Sequence, residues 1–148
     1  MGIRHRAREI AMQALFYMDI CKDDRNDQLE LFCSNINIPK KSLAFFKKIV
    51  NGVLNANSEI DRIIELYSSN WKIHRMSCVD RNILRIAVYE LIYCSDIPAK
   101  VIINEAIEVG KKFGTEDSGS FINGVLDTIN KKKAEINIDS SLKQIKEK

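Results

Sequence analysis

Proline and glycine are scarce: the 148-residue chain holds two prolines, Pro39 and Pro98, and six glycines. An all-β sandwich or barrel needs turn residues at short intervals, so this shortage argues against one and favours helices with few breaks. Histidine is limited to His5 and His74, and the four cysteines (Cys21, Cys33, Cys78, Cys94) form no Cys-x-x-Cys pair. A zinc site is therefore hard to assemble, and a chain of this size does not need a disulfide framework. The cysteines are expected to be reduced thiols, mostly small core hydrophobes, in a cytoplasmic protein. No run of about 18 apolar residues is present to span a bilayer. The basic start lacks the apolar stretch of a secretory signal because Glu9, Gln13 and Asp19 interrupt it, and Arg6 stands where a myristoylation signal after Gly2 needs Ser or Thr. Charge of one sign is also lacking. With 23 basic against 20 acidic residues the net charge is +3, so the placement of charge, not its sum, must point to any nucleic acid.

Apolar residues make up 45% of the chain, enough for one well-filled core, and they recur at helical spacing. Ala7, Ile10, Ala11, Ala14, Leu15 and Met18 form one stripe of a first helix. A polar break at Asp23–Asp27 precedes a short second helix with Leu29, Leu31, Phe32 and Ile36. Pro39 opens a third helix carrying Leu43, Phe46, Ile49, Val50, Val53 and Leu54, and Ser58 is a candidate cap for a fourth with Ile60, Ile63, Ile64 and Tyr67. After a linker through Trp71 and His74, Ser77 and Asp80 resemble a capping box at the head of a broadly apolar fifth helix, Val79 to Ile92. Pro98 starts a sixth helix with Ile102, Ala106, Val109 and Phe113, and Gly114 sits where a left-handed cap belongs. Thr115, Asp117 and Ser118 are cap candidates for a seventh helix with Ile122, Val125, Leu126 and Ile129 inward. The division expected is a helical domain over 1–130 and a lysine-rich tail over 131–148 that is frayed helix or disordered.

Catalytic patterns are missing. Neither histidine stands beside a nucleophile. Gly110-Lys111-Lys112 looks superficially like a P-loop, but Glu105 replaces the upstream glycine and Lys112 the hydroxyl residue. Glu105 and Glu108 read as a solvated helix face. An enzyme is the weak hypothesis.

What the chain offers is Arg4, Arg6 and Arg8, with His5 among them, at the start of the first helix. The helix dipole disfavours cations there, so three arginines ask for a compensating reason. Phosphate binding supplies one, and a solvated basic end is the plain alternative. On a helical wheel the arginines fan around the exposed side. Phe121 lies on the flank of the seventh helix, placed either to stack on an unpaired base or to pack at the boundary. Phe16 lies almost opposite the first stripe, either buried against another helix or set as an aromatic beside the arginines.

These residues resemble a family. Arg6-Ala7-Arg8-Glu9 with Ala11 to Leu15 is similar to the opening of the bacterial transcription antitermination factor NusB. Asn70-Trp71, Arg75-Met76 and Val79-Asp80-Arg81 through Leu91 resemble its central signature. Asp96-Ile97-Pro98, Val101 to Glu108, Lys112-Phe113-Gly114, Glu116-Asp117-Ser118 and Phe121 to Asp127 resemble the remainder, so the likeness runs in order from Arg4 to Asp127.

The resemblance implies an all-α domain of about seven helices in two packed subdomains, without catalytic activity or cofactor. It implies binding of single-stranded boxA RNA of ribosomal RNA operons together with NusE, a protein of the small ribosomal subunit, within the RNA polymerase antitermination complex. The RNA-contacting positions implied are Arg4, His5, Arg6, Arg8, Phe121 and Asp117, and Phe16 is added as a candidate. His5 departs from the family's frequent arginine; a free imidazole is mostly uncharged at neutral pH, which implies weaker or more pH-dependent affinity. Trp71, Asp80, Arg81 and Arg85 are open between packing or capping and the partner face, with Asp80 the candidate protein contact. Two alternatives stand beside this reading: a stand-alone NusB-like accessory domain related to RNA methyltransferases, and an adaptor that binds only protein.

Overall fold

The computed structural model describes residues 2–21, 26–69 and 71–136. Within them run seven α-helices: α1 Gly2–Cys21, α2 Asn26–Asn35, α3 Lys40–Asn55, α4 Asn57–Tyr67, α5 Cys78–Tyr93, α6 Ala99–Phe113 and α7 Ser118–Lys131. The linker before α5 holds a 3-10 turn at Ile73–Arg75. Most of the expected polar break at Asp23–Asp27 and the tail from residue 137 lie outside the described residues.

Every helix but α2 buries most of the stripe its spacing announces; in α2 Leu31 is exposed and Phe32 only partly buried. Ala7, Ile10, Ala11, Ala14, Leu15 and Met18 of α1 are all buried, and α1 lays this face on α3 and α5. α5 is the spine. It touches α1 and α3 on one side and α4, α6 and α7 on the other, so the α1–α3 group and the α4–α7 group share a single core. That explains its broad apolar face: Leu84, Val88 and Leu91 have no exposed surface. Each such side chain contributes about 1.5–3 kcal/mol through burial. α5 also carries a polar seam to its neighbours. Arg85 forms a fork on Asp61 of α4 (2.8 and 3.0 Å) and reaches Asp19 of α1 at 3.2 Å, and Arg81 Nε donates to Asp19 at 2.6 Å. Arg81 and Arg85 are thus packing residues.

Both prolines stand immediately before helices, at the N-caps of α3 and α6, where a fixed φ and no N–H donor cost nothing. Ser77 caps α5, its Oγ accepting from Asp80 N–H at 3.1 Å, which is one half of the expected capping box. Three local expectations change. Ser58 does not cap α4, because the helix begins one residue earlier behind Ala56. Gly114 has φ −97°, outside the left-handed region; glycine is needed there because a Cβ would collide with Ser118 Oγ. That hydroxyl turns back to accept from Thr115 N–H at 2.9 Å, so neither it nor Asp117 caps α7 by a side-chain bond. Beyond α7, Ile136 returns to pack on the core.

Candidate nucleic-acid interface

The start of α1 meets α5 and α6, and its charged residues divide into an inner and an outer set. Arg8 is inner, with 5% of its surface exposed. Its Nε and Nη2 donate to the two carboxylate oxygens of Glu90 at 2.9 and 2.7 Å, and its Nη1 donates to Glu105 at 3.1 Å. Burial disfavours the charge on Arg8, yet the bonds to and charges of Glu90 and Glu105 leave its pKa above the ordinary arginine value. The expectation that all three arginines fan around the exposed side therefore fails at Arg8. Much of the compensation for a cation at a helix start is supplied inside the protein. Glu105 is correspondingly not part of a solvated face.

His5 is partly buried, with Nδ1 3.0 Å from Glu105 Oε1 and Nε2 3.1 Å from Glu9 Oε2. His5 is thus tied to two carboxylates, one on its own helix and one on α6. Arg6 is outer, its side chain 45% exposed, with one bond from Nη1 to Glu9 at 3.1 Å. Lys112 of α6 reaches the same carboxylate from the other side, at 3.1 and 3.3 Å. Burial acts to raise the pKa of Glu9, but the bonds from Lys112 and Arg6 and the charges of Lys112 and His5 hold it below its ordinary value. Arg4 is exposed and places its guanidinium 4.8 Å from the ring centre of Phe45, which Arg8 also approaches at 5.1 Å. Arg6 and Lys112 thus form an exposed cationic pair over the buried carboxylate of Glu9, and Arg4 is exposed on another face of α1.

α7 continues this end. Its first turn rests on α6, with Lys111 carbons beside Gly119. Phe121 is partly buried, as its flank position requires, and meets Trp71 edge to face with ring centres 5.9 Å apart. Trp71, Arg75, Asp80, Asp117 and Phe121 line one cleft of about 330 Å³. Asp117 is exposed there, and Asp80 Oδ1 is buried without a hydrogen-bond partner. The structure thus gathers Asp80, Asp117 and Phe121 in one place and Arg4, His5, Arg6 and Arg8 in another. Phe16 joins neither. It packs on the core, and its carbonyl lies 3.9 Å from Cys78 Sγ at the start of α5. Ten residues of helix put it about 15 Å along α1 from Arg6, so it is not an aromatic beside the arginines.

Reading the sequence missed Phe45 and Glu90 altogether. A signal for the second existed: Arg8 shares a helical face with Met12 and Leu15, and Glu90 with Ile83 and Ile86. Opposite charges on two apolar faces invite a buried pair.

A helical scaffold that presents cations and an aromatic pair at the ends of its helices is that of a small binding protein. The chain belongs to the NusB family, whose model matches residues 5–131. The transcription antitermination protein NusB of Desulfatibacillum aliphaticivorans is 54% identical over 129 residues, spanning 87% of this chain and 90% of the relative. That of Desulforapulum autotrophicum is 51% identical over 131 residues, 87% and 92% of the two chains. Among solved structures, T. maritima NusB matches with a TM-score of 0.78 at 38% identity, covering 86% of this chain and 90% of that one. A chain from a complex of the antitermination factors NusB and NusE with double-stranded RNA matches with a TM-score of 0.78 at 31% identity, covering 88% and 98%. Among the described residues no helix is long and apolar enough to cross a membrane.

Proposed function

We infer that the chain is a non-catalytic transcription antitermination factor of the cytoplasm that binds single-stranded boxA RNA together with NusE and joins the RNA polymerase antitermination complex. The observation that carries the reading in this molecule is the exposed pair of Arg6 and Lys112, which meet at Glu9, with Arg4 exposed on another face of α1. Family membership and the RNA-bearing complex of similar fold support it. In this reading Arg4, Arg6 and Lys112 meet phosphates, and Phe121 stacks on a base with Asp117 beside it. Arg8 and His5 hold the start of α1 against α5 and α6 and act through it. Asp80 is the candidate NusE contact, in the cleft that also holds Asp117 and Phe121.

The test is a titration of boxA RNA at several salt concentrations, with and without NusE. Three neutralised phosphates give a log–log slope of about −2, and Arg6→Ala or Lys112→Ala each lowers its magnitude by about 0.7. RNA affinity that is negligible alone and does not rise on adding NusE would leave only a protein-binding adaptor.

A further inference from the structure

A second cleft, between the end of α4 and the middle of α7, has no role in the reading above. Its volume is about 370 Å³, and Trp71, Phe121, Ser69, Ser120, Gly124 and Thr128 are among the residues that line it. Trp71 and Phe121 also line the neighbouring cleft that holds Asp117, so the aromatic pair is a ridge with a hollow on either side.

Three features of this hollow have no explanation in packing. Trp71 is 49% exposed, although tryptophan is a residue that folding usually hides. It is nonetheless held firmly: Ser68 Oγ donates to Trp71 O at 2.8 Å and Trp71 N–H donates to Ser68 O at 3.2 Å. Ser69, inside that loop, takes a φ of 54°, a left-handed conformation that a residue with a Cβ adopts at a cost. Gly124 is the second feature. It lies in the interior of α7, where glycine weakens a helix relative to alanine, yet a Cβ there would meet no atom within 4 Å. Nothing inside the fold demands its smallness. The third is chemical: the lining carries hydroxyls and aromatic rings but no charged side chain. Such a hollow suits a flat, uncharged group with a polar edge and does not suit a phosphate.

We propose that this cleft is a nucleobase pocket, in which an unpaired base of the bound RNA stacks on the open face of Trp71. The hydroxyls of Ser120 and Thr128 meet the polar edge of the base, and the missing side chain at Gly124 lets the nucleotide lie against α7. The strand then crosses the Trp71–Phe121 ridge, with successive bases on its two sides. The inference rests on the RNA-binding reading above and adds a site to it.

Trp71 is the chain's sole tryptophan, so its emission reports on the ridge and the two clefts it borders, and Gly124, which lines only this one, tells them apart. The experiment titrates boxA oligoribonucleotide into the protein with a tryptophan-free NusE, following indole emission and, separately, a label on the RNA. Quenching of Trp71 that tracks RNA binding is expected. Gly124→Gln, which fills the cleft, should remove most of the quenching and weaken RNA binding about tenfold while its Tm stays equal or rises, a combination that a structural role for Gly124 does not produce. Trp71→Leu should weaken binding to a similar degree. RNA that binds with unchanged Trp71 emission, or binds Gly124→Gln as well as wild type, overturns the pocket and leaves the RNA-binding reading standing. An emission change caused by NusE alone, with no further effect of RNA, also overturns it and makes the cleft a protein seat. Absence of any RNA binding by the wild type removes both.

Discussion

Replacing Arg8 by alanine removes three hydrogen bonds at once and strands Glu90, which is 1% exposed, as a buried charge without its guanidinium. Breaking one side of a buried ion pair costs about 3–5 kcal/mol, far more than an exposed pair is worth. For a chain of about 150 residues each kcal/mol corresponds to roughly 2–4 °C, so Tm should fall by about 6–20 °C. Arg6→Ala removes one bond from a half-exposed guanidinium and should leave Tm nearly unchanged. The two variants should exchange places in RNA binding: at a temperature where both are fully helical, Arg6→Ala loses more affinity than Arg8→Ala. Thermal unfolding by circular dichroism and an RNA titration at fixed salt measure both quantities. An internal control is the double variant Arg8→Met with Glu90→Leu, which replaces the pair by apolar volume and should recover most of the lost stability. A wild-type Tm for Arg8→Ala combined with the larger loss of RNA affinity would refute the reasoning, since it would mean that Arg8 leaves its carboxylates to meet phosphate.

Three further outcomes follow from the same geometry. Burial acts to raise the pKa values of both Glu9 and Asp19, but their basic partners, Lys112, Arg6 and His5 for Glu9 and Arg81 and Arg85 for Asp19, hold them below the ordinary 4.5 and 3.8. Their stabilisation is therefore complete above those ordinary values and is lost as pH falls through the lower folded ones; urea midpoints between about pH 6 and pH 2 should drop only on the acid limb, less steeply in Glu9→Gln. Gly52→Ala should cost about 1–3 kcal/mol in chemical denaturation, because a Cβ there would drive into the buried Tyr89 ring. Asp117→Asn removes an exposed negative charge from the cleft beside Phe121 and should keep or raise RNA affinity, so a large loss in a binding titration would show instead that the carboxylate accepts a bond from a base.

The helices were legible because all but α2 bury a clear stripe, and a period of 3.6 survives in the sequence whatever the helix packs against. α5 shows this well: its apolar breadth marks it as the element with neighbours on both sides, and it is the spine of the fold. Local chemistry was legible where partners are close in sequence, as at Ser77 and Asp80. It was not legible at Arg8, whose partner Glu90 is 82 residues away, or at His5, which meets Glu105 across 100 residues. Charge at the start of α1 suggested a single exposed cluster, and only the packing of α5 and α6 separates the inner arginine from the outer ones. Gly114 was identified as a required glycine for a conformational reason, whereas the reason is steric and comes from Ser118, four residues on. Trp71 and Gly124 carried no sequence signal of a shared cleft, because the loop from α4 and the face of α7 meet only in the folded chain.

In the proposed function, RNA is held by the outer cations of α1 and α6 and by the aromatic face of α7. Backbone and arginine side-chain NMR shifts of labelled protein, recorded as boxA RNA is added to its complex with NusE, test this most directly. The account predicts large changes at Arg4, Arg6, Lys112, Trp71 and Phe121, with the Arg8 guanidinium signal keeping its position. Changes confined to the α2–α3 side, or an Arg8 signal that moves with the RNA while Arg6 stays still, would contradict it.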